Sequence, residues 1–427
     1  MTLPITAPMT APMTAPKPRL LAICRGFCRL LPPVSLLASK GVVALLMTAA
    51  ALACLVAWCA ERRLPRPDRG AAMMFAALLL VCAIASLWSF AVIGSLFLTL
   101  RVGALLAAGL VFFTIARSFD DAMRDRIGPW LLAGVLAALA IVTAEIALDF
   151  PLFGFIKGSF PENADLGSRL NRGATALAML TWPAAVLLWQ RGFIRAALAL
   201  AVLVAGLLSM LASGAALLGF AAGGLTALVA LGNRKAGHAL VVAVTAAAFV
   251  GMPFAAKLMY GLGWHNSDWL ATSARHRIEI WNYTTQLIEQ KPWLGWGFDA
   301  SRAITNARPE SLTDRLALLP LHPHNAPLQI LFELGIPGVV LTLALLWLLA
   351  RRIEVLPRPA RVCGQALFIT TLTIASTAYG MWQNQWLAMM FSAALMIPLT
   401  LRSAAAAAPK APDRAGSSGP DTSGGRD

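Results

Sequence analysis

Residues 41–60 read GVVALLMTAAALACLVAWCA, twenty positions without a charged side chain. At about 1.5 Å per residue such a helix is roughly 30 Å long, which is the thickness of a bilayer's hydrocarbon core. Lipid offers no water to pair with exposed backbone groups, so a crossing segment must satisfy its own N–H and C=O groups as a helix. Similar blocks recur at about 71–88, 96–116, 129–149, 172–190, 196–212, 214–231, 239–258, 326–350, 362–381 and 387–402, making eleven strong spans. Residues 19–38 are a twelfth candidate. Arg25 and Arg29 would be costly at the bilayer centre, so this segment reads either as a span or as an interfacial amphipathic helix. The fold class expected is all-α: a polytopic helical membrane protein with 11–12 transmembrane helices and one long periplasmic loop carrying short helices.

Composition points the same way. Of 427 residues, 58% are hydrophobic and 13% charged, against about half and a quarter in soluble domains. The net charge of +15 does not imply nucleic acid, because the basic residues sit in short connectors. Arg62, Arg63, Arg66 and Arg69 mark one connector, Arg191 and Arg195 a second. Arg234 and Lys235 mark a third, and Arg351, Arg352, Arg358 and Arg361 a fourth. Alternation puts all four on one side, which the positive-inside rule makes cytoplasmic. The periplasmic side then receives 89–95, 150–171, 259–325 and Gln383–Trp386, and a basic cytoplasmic N-terminus requires 19–38 to span. The cysteines, Cys24, Cys28, Cys54, Cys59, Cys82 and Cys363, lie in or beside apolar blocks, which suggests neither disulfides nor a metal cluster. Residues 1–18, with their Thr-Ala-Pro-Met repeats, and 403–427 read as disordered tails around one transmembrane domain, 19–402.

Residues 259–325 are the only long hydrophilic stretch between spans, and loops of that length are usually functional. His276 to Gln290 has a ragged amphipathic pattern ended by Pro292, which predicts a helix near the membrane surface. Pro292-Trp-Leu-Gly295-Trp-Gly297-Phe reads as a tight turn without the strand and helix context of a nucleotide loop. Beyond His322-Pro-His324, the residues Asn325, Gln329 and Glu333 recur every four positions and share one helix face. Gly335, Pro337 and Gly338 interrupt that helix, and a polar stripe on an interrupted membrane helix faces protein or a wet cavity.

Histidine titrates near neutrality and can take a proton from a hydroxyl. Arg275 and Arg277 lie on the same side of the membrane, and guanidinium donors match phosphate oxygens. Base and clamp together suggest transfer from a lipid-linked phosphate donor, chemistry that needs neither nucleotide nor redox cofactor. Blander roles exist for each residue. A histidine beside a membrane helix is often an interfacial hydrogen bonder, and loop arginines such as Arg302, Arg308 and Arg315 are usually solvated. Trp264, Trp269, Trp281, Trp293 and Trp296 fit an interfacial belt or a sugar-stacking surface. His-x-His supplies two metal ligands without a spaced third, so no metal site is expected.

The ordered set Arg275, Trp281, Pro292-x-x-Gly295-x-Gly297, His322-x-His324-Asn325, Gln329, Glu333 and Gly335 resembles the O-antigen ligase family, which includes polysaccharide polymerases and protein-O-oligosaccharyltransferases. The resemblance implies an inner-membrane glycosyltransferase with its active site facing the periplasm. Its donor would be an undecaprenyl-diphosphate-linked glycan and its acceptor a sugar of lipid A-core or another glycan, joined with inversion and without metal or cofactor. His324 matches the family's essential histidine, with His322 the second choice, and Arg275 its loop arginine. The substrate-binding candidates are Arg172, Arg277, His322, Asn325, Gln329, Glu333 and Trp281. The family's upstream diphosphate-binding arginine is missing, because the segment reads Ala212-Ser213-Gly214-Ala215; Arg172 or Arg169 is the candidate replacement. Transport would require repeated interrupted helices, and only one is evident. A non-catalytic scaffold would tolerate loss of His324 and Arg275.

Overall fold

The computed structural model describes residues 17–62, 66–148, 151–157, 170–306 and 321–402. Most of both expected tails, together with Arg63, Arg169, Arg308 and Arg315, lies outside the described residues; Lys17 and Pro18 are helical. The helices are α1 (Lys17–Leu37), α2 (Gly41–Glu61), α3 (Arg69–Ser86), α4 (Val92–Arg117), α5 (Asp121–Ala147), α6 (Pro151–Lys157), α7 (Asn171–Gln190) and α8 (Ile194–Met210). They continue as α9 (Gly214–Gly232), α10 (Arg234–Ala246), α11 (Met252–Gly261), α12 (Thr272–Gln290), α13 (Ala300–Asn306), α14 (Ala326–Glu354), α15 (Arg358–Ala375) and α16 (Asn384–Thr400). A π turn, Ala247–Gly251, joins α10 to α11 just before Pro253, whose missing N–H leaves the helical ladder a gap.

The chain is an all-α, multi-pass membrane protein. Among the described residues nine helices are long and apolar enough to cross a bilayer, a smaller number than the 11–12 expected. Each of the eleven apolar blocks does form a helix, but α8 is short and α15 and α16 are not among the nine. Helices α15 and α16 bury polar side chains, Gln365 and Thr370 on one and Ser392 and Thr400 on the other. A helix enclosed by protein needs no uniform apolar surface.

Helix α1 decides between the two expectations for 19–38. It packs along α5 and against α2, α7 and α16, with Cys24, Phe27, Cys28 and Leu31 fully buried. Its arginines find partners: Arg25 donates to the Arg126 carbonyl, and Arg29 lies 5.4 Å from the centre of the Trp130 ring. It is a bundle helix, not an interfacial one.

Close packing depends on small residues where helices cross. Gly219 and Gly223, four apart on α9, face α15, and a Cβ at Gly223 would lie 2.1 Å from Thr370 Oγ1. The bundle has two chemically different ends. At one, the basic connectors meet in ion pairs: Arg352 with Asp68, Arg234 with Glu354, and Arg402 with Asp125. At the other lie the α1–α2 turn, the start of α7, helices α12 and α13, and the α15–α16 turn.

Candidate active site

Among the described residues of the stretch expected as a long hydrophilic loop, most are helical. Helix α11 runs into it as far as Gly261, and α12 begins at Thr272, one turn before the predicted His276. Helix α14 is broken at Gly335, whose φ of 63° and ψ of −158° are non-helical. Such a break leaves backbone groups unpaired. The carbonyls of Phe332 and Glu333 accept from the N–H groups of Trp296 and Gly297, and Ile336 N–H donates to Trp293 O. The turn seats itself in the break because Gly295 and Gly297 adopt positive φ, and a Cβ on Gly295 would stand 2.7 Å from the Glu333 backbone.

Glu333 sits beneath this turn, fully buried, and collects four donors from three segments. Asp299 N–H and the Ser301 hydroxyl come from the loop, Gln329 Nε2 from the preceding helical turn, and Trp382 Nε1 from the α15–α16 turn. Gln329 Oε1 in turn accepts from Met381 N–H at 2.7 Å. Asn325 caps α14, accepting from Leu328 N–H while its amide donates to Ser376 O. Trp281 donates to Pro323 O at 3.0 Å and is itself buried. These four residues were expected to bind substrate. All are buried and bonded to protein. The four-residue spacing of Asn325, Gln329 and Glu333 fixed their common face, and that face meets other polypeptide. They hold the histidine segment and the α15–α16 turn in register.

That turn, residues 376–383, contacts both histidines. His324 Nδ1 lies 2.8 Å from the Ala378 carbonyl, so Nδ1 carries the proton and donates it. In the neutral ring Nε2 then keeps its lone pair, and it has no hydrogen-bond partner among the described residues. His324 has φ 54°, an uncommon conformation for a residue with a Cβ. Burial lowers its pKa, the Ala378 bond raises it, and the charges of Arg277 and His276 lower it again. The net result is a pKa below the ordinary histidine value.

His322 is the more enclosed ring. Its Nε2 lies 2.6 Å from the Gln383 side-chain amide, its Nδ1 accepts from His324 N–H, and only a glycine at 380 leaves it room. Burial, helped by His324 and Arg302, depresses its pKa from 6.5 to about 3. Between those pH values the unfolded chain takes up a proton that the folded one refuses. The associated stability is therefore complete above pH 6.5 and falls on acidification, by at most about 1.4 kcal/mol per pH unit. The thermal midpoint should drop more steeply from pH 7 to pH 5 in the wild type than in His322→Asn. Equal slopes would remove the assignment.

The arginines separate by helix geometry. Arg275 and Arg277 are two residues apart on α12 and cannot share a face. Arg277 is the one near His324, half-buried, with its pKa lowered by that burial. Arg275 turns to Thr272 at 3.3 Å and Asp268 at 3.6 Å, and its Nε–H is buried without an acceptor among the described residues. Arg172, in the first turn of α7, reaches Tyr379 on the far side of the 376–383 turn. Arg302, expected to be solvated, pairs with Asp299 at 3.3 Å and lies near enough to His322 to lower its pKa. Ser213 stands in the break between α8 and α9. Sequence reasoning missed Ala378, Tyr379, Gly380, Trp382 and Gln383. Their one signal was a short connector rich in polar and aromatic residues.

Comparison with known proteins adds to this geometry. Residues 198–343 match a family model described as O-antigen ligase, a segment that encloses α12 and both histidines. A Rickettsia felis protein provisionally named a polysaccharide ligase is 31% identical over 312 residues, 72% of this chain and 74% of that protein. Counterparts of the same provisional name occur in Rickettsia conorii, 30% identical over 330 residues (76% of this chain, 77% of that one), and in Rickettsia bellii, 28% over 329 residues (75% and 78%).

Proposed function

This chain belongs to the O-antigen ligase family, and we propose that it moves a glycan from an undecaprenyl-diphosphate carrier to a sugar hydroxyl of lipid A-core, at the periplasmic face of the bacterial inner membrane. The observation that carries this reading is the His324 ring, fixed by Ala378 so that a neutral Nε2 is free beside the Arg277 guanidinium.

The step is a displacement at the anomeric carbon. The acceptor oxygen attacks that carbon, its proton passes to His324 Nε2, and the bond from carbon to the diphosphate oxygen breaks on the opposite face. The configuration inverts, and undecaprenyl diphosphate leaves with the electron pair. Arg277, beside His324, stabilises the charge that gathers on the departing oxygens, while Arg275, on a different face of α12, holds the carrier's diphosphate farther out through the Nε–H that has no acceptor among the described residues. Glu333, Gln329, Asn325 and Trp281 act at one remove, by holding the turn and the loop around the base. Residues 19–402 work as one transmembrane unit, with 259–325 on its periplasmic side.

Arg275→Ala is expected to lower kcat/KM for the lipid-linked donor by about a hundredfold, the scale of losing one charged donor to a developing anion. Purified protein with defined donor and acceptor measures it. The same assay tests the whole proposal, because glycan transfer without any ion gradient excludes transport as the primary activity. The acceptor used separates ligation from polymerisation: lipid A-core in the first, a second lipid-linked glycan in the second.

A further inference from the structure

Helix α4 carries a charge where its surroundings are apolar. Ile93, Phe97 and Leu100, spaced along one face, are 73%, 63% and 69% exposed, and Arg101 lies exposed on that same face. Leu98, Val102 and Leu105 on the other side are buried in the bundle. The exposed stripe is therefore the one α4 turns to lipid. Arg101 comes nine residues after Val92, about 14 Å along the helix. A guanidinium at that place is costly unless it reaches up to an anion at the interface.

The anion it feels is Asp299, whose pKa Arg101 lowers. That carboxylate is already engaged, because Arg302 on α13 pairs with it at 3.3 Å. Two guanidiniums thus share one carboxylate, and the cluster keeps a net positive charge. Ser89, just before α4, and Ser95, in its first turn, both donate to Phe298 O at 2.8 Å, which seats this loop against the helix. Arg302 lies on the His322 side of the histidine pair, as Arg277 lies on the His324 side. Cationic groups therefore flank the pair, from α12 on one hand and from α4 and α13 on the other.

An inverting displacement puts nucleophile and leaving group on opposite faces of the anomeric carbon. With the departing diphosphate at α12, the acceptor needs a different approach, and the α4–α13 side offers one that opens to lipid. We propose that Arg101 and Arg302 bind a phosphate of the acceptor glycolipid, whose acyl chains lie along the exposed stripe of α4. Guanidinium donors fit phosphate oxygens, and the paired arginines supply more charge than Asp299 neutralises. The assignment rests on the transfer activity proposed above.

Arg101→Gln removes the charge at an exposed position and leaves the core intact. In full-length protein held in phosphatidylcholine nanodiscs, it should raise the KM for a phosphorylated lipid A-core acceptor about tenfold, with kcat and the donor KM unchanged. Arg302→Gln should raise the same KM. Stripping the phosphates from the acceptor should raise the wild-type KM by a like factor and add nothing in Arg101→Gln. An unchanged acceptor KM, or a rise confined to the donor, overturns the proposal. Native mass spectrometry without donor gives a readout independent of transfer. The wild type should bind the phosphorylated acceptor lipid about tenfold better than the dephosphorylated one, and Arg101→Gln should lose that preference. Equal competition by phosphatidylglycerol would make Arg101 a general headgroup contact and refute the acceptor assignment. A phosphate preference that ignores Arg101 refutes the subsite even when transfer is confirmed. A preference that depends on Arg101, with no transfer to any acceptor, refutes the proposed function and leaves the lipid site standing.

Discussion

His324→Ala is expected to reduce glycan transfer by about 10²–10⁴-fold, the contribution of a positioned general base, while the protein still folds. The ring makes one hydrogen bond through Nδ1, to a backbone carbonyl in a turn that Asn325, Gln329 and Trp382 also anchor. Removing it therefore costs little structure. Backbone strain is the competing explanation, since φ is 54° at this residue. His324→Asn controls for it, because asparagine tolerates that region better than other residues with a Cβ. Both variants should be folded and inactive. The pH dependence carries the same signature. Transfer needs the neutral ring, whose pKa is lowered by burial and by Arg277 and His276. The rate should thus be flat around neutrality and fall only below the ordinary histidine value of about 6.5. An acid limb above that value, or a variant close to wild-type activity, would falsify the role of His324 as base.

The fold was legible in the sequence because hydropathy records what lipid demands of a crossing helix. Residues 41–60 announce themselves for that reason. Arg25 and Arg29 obscured 19–38, since composition counts a charge but not the Arg126 carbonyl or the Trp130 ring that receives it. The histidine segment was legible through Asn325, a good N-cap directly before a helix. The rest of the site was not, because its partners are distant in the chain. Ala378 is 54 residues from His324, Gln383 is 61 from His322, and Trp382 is 49 from Glu333. No local period encodes such contacts. Asn325, Gln329 and Glu333 show the same limit from the other side: spacing gave their common face, while what that face meets is decided by the α15–α16 turn. Arg275 and Arg277 could not be separated in the same way, because the helix predicted from His276 left Arg275 outside it, whereas the helix starts at Thr272.

Glu333→Ala should do more damage to the protein than any substitution at the histidines. Four donors converge on this carboxylate: Asp299 N–H, the Ser301 hydroxyl, Gln329 Nε2 and Trp382 Nε1. Glu333, Ser301, Gln329 and Trp382 are all buried, so water cannot replace the lost acceptor without opening the site. Each orphaned donor costs about 1–3 kcal/mol, and the sum approaches the whole stability of an ordinary domain. The variant should fail to accumulate in the membrane, or should melt far below the wild type in detergent. Glu333→Gln keeps the volume and one acceptor oxygen but points an NH2 group at donors, so it should fold with reduced stability. Its activity should fall as well, because Trp382 and Asp299 fix the two segments that meet at His322 and His324. The order expected for thermal stability is wild type, then Gln, then Ala, with transfer following it. A Glu333→Ala protein as stable as the wild type would mean that the four donors find other acceptors, and that the turn carrying Ala378 is held by something other than this carboxylate.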